Sequence, residues 1–178
     1  MLIIKEPSEQ LFSIAQKGLL EIKSQPTPFD IHSAQKGAQY AECNFEGYID
    51  YLNKNKSEQQ LQGRVPSTTL WLFEDQKFVG IFDVRHRLNE TLMQRGGHIA
   101  YYIIPSERGR GYTLKGLKLV LDWCFENLNL NEVLLFSDEQ NIRSLKVLEH
   151  ALRKFGGRRL DKHQAEGHIE CGYWIKTK

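Results

Sequence analysis

Hydrophobic residues along this chain fall into blocks of two different periods. From residue 8 to 22 they recur at helical spacing, with Leu11, Ile14, Ala15, Leu19 and Ile22 on one face, which predicts a helix. Residues 38–56 suggest a second helix. Between the two, residues 24–36 carry two prolines and read as a loop. From Thr69 the period shortens. Leu70-Trp71-Leu72-Phe73 is a short apolar strand, Glu74–Lys77 is a polar turn, and Phe78–Val84 returns as its hairpin partner. Residues 97–104 predict a further strand bounded by Pro105. Residues 111–128 then place Leu114, Leu117, Leu121, Cys124 and Leu128 on one helical stripe. The continuous apolar run Val133–Phe136 fits a central strand covered on both faces. A last amphipathic helix spans about 141–155 and ends at Gly156-Gly157. Strands near 158–162 and 168–176 close the chain.

This order, helices first, then an antiparallel meander, then a strand–helix–strand crossover, predicts an α/β (α+β) fold. Its sheet is mixed and mostly antiparallel, with helices on both faces. No linker or repeat interrupts the 178 residues, so one domain over 1–178 is expected. A net charge of +2 is too small to mark a nucleic-acid or membrane-surface protein. No stretch approaches the roughly 20 apolar residues of a membrane helix. Met1–Pro7 lacks the features of a signal peptide. Cys43, Cys124 and Cys171 are odd in number and widely spaced. They suggest neither a disulfide framework nor a metal site, and a cytoplasmic location is expected.

Candidate chemistry concentrates in Arg108-Gly109-Arg110-Gly111-Tyr112-Thr113, between a strand and a long helix. A helix N-terminus presents unpaired N–H groups and the positive end of a dipole, which suits a phosphate. Glycines let the backbone approach an anion closely, and Arg108 and Arg110 add charge. The segment is neither a Walker A loop, which ends in Gly-Lys-Ser/Thr, nor a Gly-x-Gly-x-x-Gly dinucleotide loop. On residue types alone it also reads as a solvated turn.

The segment resembles the acetyl-CoA motif of the GNAT superfamily of acetyltransferases, Arg/Gln-x-x-Gly-x-Gly/Ala, with Arg108 first, Gly111 fourth and Thr113 where glycine or alanine is usual. Asn141-Ile142-Arg143-Ser144 resembles the Asn-x-x-Ser/Ala segment of these enzymes. Val65–Thr69, Arg85–Asn89, Gly96–Ile99, Pro105–Arg108 and Asp138–Asn141 resemble an uncharacterised bacterial subgroup, over roughly residues 40 to 175.

The resemblance implies an enzyme that transfers the acetyl group of acetyl-CoA to an amine, a small molecule or a protein, by direct attack. It implies that the strand ending at Ile103-Ile104 splays from the strand at 133–136. Backbone groups there pair with the pantetheine arm, the loop from Gly109 to Thr113 holds the diphosphate, and Asn141 faces the pantetheine or the acetyl region. The N–H near Ile103 is the expected oxyanion donor. His98 stands where many relatives carry a glutamate and is the candidate base, with a structural histidine beside Gly96-Gly97 as the other reading. Leu148 occupies the position of a tyrosine acid, so that acid is excluded. Ser144 is a candidate for contact with the sulfur, or else bonds locally at its helix start. Arg85, His86 and Asn89 are candidates for binding the acceptor, with an ion pair of Arg85 to Asp83 or Glu90 as the alternative.

Six residues separate Glu149 from Gly156 where the family pattern implies about two, which lengthens the helix by about a turn. Arg153, Lys154, Arg158, Arg159 and Lys162 form a basic run, either a solvated surface or a site for an anion. Two other functions stay open on sequence: a catalytically weak acyl-CoA-binding module, and a nucleic-acid-associated protein using the basic run. A homodimer is compatible with the fold.

Overall fold

Strand residues 67–104 alternate between two hydrophobic layers, and both faces of the sheet they form are covered. The computed structural model describes residues 1–42, 45–58, 61, 63–165 and 167–178; Cys43 lies outside them. Strands β1 (Leu2–Lys5), β2 (Ser67–Glu74), β3 (Lys77–Arg85) and β4 (Ile99–Ile103) form an antiparallel sheet in the order β1-β2-β3-β4. Leu70, Leu72, Phe82, Val84 and Ile103 face helix α5 (Tyr112–Leu128), where Leu117, Val120 and Leu121 are buried. Trp71, Phe73, Ile81 and Tyr102 face the other way. They pack with Leu19 and Ile22 of α1 (Glu9–Ser24), Ala34 and Ala38 of α2 (His32–Tyr40), and Tyr48 and Leu52 of α3 (Phe45–Lys56).

A second sheet holds β5 (Glu132–Asp138), β8 (His168–Lys176) and β6 (Gly157–Arg159) in that order, with β7 (His163–Ala165) also paired to β8. Helix α6 (Ile142–Phe155) covers one face, with Leu148 and Ala151 fully buried. Among the described residues the ladders inside both sheets are antiparallel, and α5 is the crossover that joins the sheets.

Four features differ from the sequence reading. The expected helix over 38–56 is two helices, and α2 begins at His32, inside the expected loop. The buried face of α2 is Ser33, Ala34, Gly37 and Ala38, too small and polar to register as a hydrophobic stripe. Strand β1 is only four residues long, and β7 three; both depend on a partner strand rather than on their own pattern. A short helix α4 (Glu90–Gln94) follows β3, capped by Asn89.

Candidate active site

Strands β4 and β5 belong to different sheets, and their backbones are joined just before β4 begins, at a bridge between Gly97 and Leu135 and through His98 and Leu134. Gly97 has φ +63°, and a Cβ there would lie 2.3 Å from the Leu134 carbonyl oxygen, so glycine alone permits this approach. Beyond the bridge no ladder among the described residues pairs the two strands, which leaves a gap in the hydrogen bonding between them. The β3–β4 register, with Arg85 N–H donating to the His98 carbonyl and Ile104 N–H to that of Val79, commits residues 100, 102 and 104 to β3. Antiparallel alternation then turns the backbone groups of Tyr101 and Ile103 toward the gap. The Ile103 carbonyl accepts a bond from Arg108 Nε at 3.0 Å, which leaves the Ile103 N–H as the gap-facing donor.

At the far end of the gap a 3-10 turn, Pro105–Glu107, leads into the glycine loop. Glu21 of α1 accepts bonds from the Ser106 N–H and Oγ at 2.6 and 2.7 Å. Glu107 is 2 % exposed and pairs with Lys77 and, at 3.6 Å, with Arg110. The loop is thus held from below. Gly109 and Gly111 have φ +81° and +74°, and an added Cβ at either would meet nothing within 4 Å. Helix α5 starts at Tyr112 with no side-chain cap, so the first N–H groups, from Tyr112 and Thr113 onward, face outward without a partner from a capping side chain. Open backbone, unpaired donors and the positive end of a 17-residue helix together make a cradle for a diphosphate.

Several candidate residues sit otherwise than expected. Arg108 lies over the Tyr102 ring at 5.0 Å and bonds the Ile103 carbonyl, so it braces β4 and the loop instead of reaching for an anion. Arg110 is directed to Glu107. Ile104 gives its N–H to Val79 and its carbonyl to the Glu107 N–H at 2.9 Å, so both of its backbone groups are engaged away from the gap. His98 does not fit a general base. Its Nδ1 accepts the Leu134 N–H at 2.9 Å, which in a neutral ring puts the proton on Nε2 and leaves no second lone pair. Burial, reinforced by Arg85, pulls its pKa down to about 4 and keeps it neutral. Arg85 donates to the Gly96 and Gly97 carbonyls at 3.3 and 3.1 Å; it holds the glycine turn. His86 pairs with Thr68 Oγ1 at 2.8 Å, and Asn89 caps α4 through the Leu92 N–H. These three brace the end of β3 and the turn that follows it.

Asn141 and Ser144 open α6 beside the gap. Asn141 Oδ1 accepts the Ser144 N–H at 3.2 Å, leaving its amide NH2 as a donor. Ser144 Oγ lies 2.7 Å from the Tyr101 hydroxyl, a link between α6 and β4. Leu148 is wholly buried in the core between α6 and the sheet.

A family model for an acetyltransferase (GNAT) domain matches residues 19–151. The chain belongs to the GNAT acetyltransferase family. Solved structures with this fold include a spermidine N-acetyltransferase from Vibrio cholerae in complex with CoA and spermine. That structure is 13% identical, with 99% of this chain and 95% of that one covered, at a TM-score of 0.59. A probable acetyltransferase is 17% identical over 98% and 92% of the chains, at 0.63. At these identities the likeness is one of fold. No curated protein matches. This GNAT enzyme uses acetyl-CoA as its acetyl donor, and the open glycine cradle, the uncapped α5 and the freed edge of β4 fit it.

Two residues of this acetyltransferase stand out only in three dimensions. Tyr101 reads from sequence as a sheet residue, and nothing local announces its bond to Ser144. Asp83 on β3 pairs across the sheet with Ala100 of β4 and accepts from Thr69 Oγ1 at 3.2 Å. Burial pushes its carboxyl pKa up, against the pull of Arg85, the Thr69 bond and His32. It faces the α1–α3 side, where His32, Tyr48 and Tyr51 are its neighbours. Among the described residues no group of three metal-ligating side chains forms, and no helix is long and apolar enough to cross a membrane.

Proposed function

We propose that this GNAT enzyme transfers the acetyl group of acetyl-CoA directly to a primary amine that enters from the α1–α3 face, with Asp83 as the base. The gap in pairing between β4 and β5 beneath the uncapped start of α5 carries this reading. It supports a thioester laid along the Ile103 edge, with the Ile103 N–H positioned to hold the carbonyl oxygen as negative charge builds there. A carboxyl group whose pKa is raised by burial is a better proton acceptor than an ordinary one. Asp83 lies one strand from β4, opposite a residue with only a methyl side chain.

The acceptor side also favours a cation. Tyr51, with part of its ring exposed, lies 6.3 Å from His32 and 6.0 Å from Tyr40 between ring centres. Aromatic faces beside a carboxylate suit an alkylammonium chain. The spermidine N-acetyltransferases of the same fold make polyamines the first acceptors to try.

The test is an amine screen with acetyl-CoA, including spermidine and spermine, followed by Asp83→Asn on the best acceptor. A fall in kcat of about 10²-fold or more, with acetyl-CoA binding kept, is expected. Wild-type turnover by the Asn variant removes Asp83 as base. A protein that binds acetyl-CoA tightly but turns over no amine is a binding module instead.

A further inference from the structure

The α6 position at which the family resemblance places a tyrosine acid is filled by Leu148, wholly buried in the core. Yet a tyrosine hydroxyl does reach α6, from β4, across the division between the two sheets. Tyr101 projects from β4 between Phe82, at 5.9 Å between ring centres, and α6, where its oxygen meets Ser144 Oγ at 2.7 Å. The pair spans from the strand whose free edge faces the gap to the helix whose first turn borders it.

We infer that Tyr101 is a positioning residue that aims the Ser144 hydroxyl proton at the sulfur leaving the acetyl group. This rests on the transferase reading above and adds to it the group that meets the leaving thiolate. The direction of the Tyr101–Ser144 bond decides the matter. Either oxygen can donate in principle. A phenol is the stronger donor of the two and an aliphatic hydroxyl the stronger acceptor, so the 2.7 Å bond runs from Tyr101 to Ser144, and burial, which pushes the phenol up to about 12, keeps that proton on the ring oxygen. With the Tyr101 proton in the shared bond, Ser144 Oγ is the acceptor and its own hydrogen must point elsewhere. The Ser144 backbone N–H is already tied to Asn141 Oδ1, which fixes the residue at the gap.

The chemistry balances without a proton from tyrosine. The amine forms the new C–N bond and gives its proton to Asp83. The C–S bond breaks and its electron pair leaves on sulfur. The Ser144 O–H donates a hydrogen bond to that developing thiolate, which later takes its proton from solvent. The hydrogen bond strengthens as charge collects on sulfur, so it lowers the barrier more than it aids binding.

The experiment compares wild type, Tyr101→Phe, Ser144→Ala and the double variant, with acetyl-CoA and with the selenoester in which selenium replaces the thioester sulfur. A selenolate leaves far more easily and needs less help. With acetyl-CoA, each single variant should lose on the order of ten- to a hundredfold in kcat, with KM for acetyl-CoA nearly unchanged. The double variant should be no worse than Ser144→Ala, because the two act as one unit. With the selenoester the deficits should shrink several-fold. Ser144→Thr, which keeps the hydroxyl, should retain most of the activity. Equal deficits on thioester and selenoester, or a loss confined to KM, overturn the inference and leave the pair as structural glue. Wild-type rates in both single variants overturn it too, with the transferase reading intact. If wild type acetylates no amine at all, the transferase reading itself has failed.

Discussion

His98 and Leu134 exchange two hydrogen bonds, one from the His98 N–H to the Leu134 carbonyl at 2.6 Å and one from the Leu134 N–H to the His98 ring at 2.9 Å. The imidazole therefore behaves as a piece of backbone. It supplies the acceptor that β5 lacks where its pairing with β4 ends, and Trp174 closes over it with ring centres 6.0 Å apart. Replacement by alanine strands a buried N–H, so His98→Ala should lose about 1–3 kcal/mol of stability in denaturant melts. Its kcat with a good amine should fall no further than misalignment of the gap explains, and the pH profile of the remaining activity should keep its shape. Loss of a titrating limb in His98→Ala would restore the histidine as base.

The same residue sets an acid limit on the fold. An unfolded histidine titrates near 6.5, whereas His98 in place is pulled down to about 4 by burial, then by Arg85. Between these values the unfolded chain binds a proton that the folded one refuses. Stability from this residue is thus full above about pH 6.5 and is lost as the pH falls toward 4. Thermal melts of wild type and His98→Gln over that window should converge as the pH drops. A constant gap between them would rule out His98 as the source.

Gly111 offers the cleanest test of the cofactor cradle. Its φ of +74° favours glycine, but a side chain added there meets open space, so Gly111→Asp should fold with a strain of roughly 1–2 kcal/mol. The new carboxylate would sit at the uncapped end of α5, where a diphosphate is expected. Calorimetry should show acetyl-CoA binding in wild type and none in the variant. Retained affinity would move the diphosphate elsewhere.

Much of this site is visible in sequence, and the reason is local. A strand, a proline, two glycines and an amphipathic helix define the loop within a dozen residues, and the loop lies where they put it. The arginines that looked like its charge are different: Arg108 is claimed by Tyr102 and Ile103, and Arg110 by Glu107, which is invisible without tertiary packing. The histidine was misleading for the same reason, since its partner Leu134 is 36 residues away. The Tyr101–Ser144 pair, 43 residues apart, and Asp83 opposite Ala100 depend wholly on how β4 is flanked.

Glu107 should matter for affinity although it is too buried to touch the cofactor. Its carboxylate joins Lys77 of β3 to Arg110 of the loop. Glu107→Gln keeps the shape and removes the charge. Acetyl-CoA affinity is expected to drop several-fold with little change in kcat at saturation, measurable by titration calorimetry beside steady-state kinetics. An unchanged Kd would mean that the 3-10 turn and the Glu21–Ser106 bonds fix the loop alone.

Three of the five cations in the basic run, Arg158, Arg159 and Lys162, also change meaning once their partners are known. Arg158 makes a two-pronged pair with Glu132 at 2.8 and 3.1 Å, Arg159 meets Glu149 at 3.1 Å and lies over the Tyr173 ring, and Lys162 pairs with Glu139. Each partner carboxylate comes from outside the run, from β5, the segment after it, or α6. A polyanion gains by releasing counterions to cations that are not already compensated. Wild type should therefore bind duplex DNA poorly at physiological salt, in a retention or fluorescence assay. Removing the compensation with Glu132→Gln, Glu139→Gln and Glu149→Gln together should raise affinity, and the slope of log K against log salt should steepen by up to about three. Tight, salt-sensitive binding by wild type would show that the run acts as a nucleic-acid surface despite its carboxylates. Unchanged binding in the triple variant would show that the surface is the wrong shape for a duplex, whatever its charge.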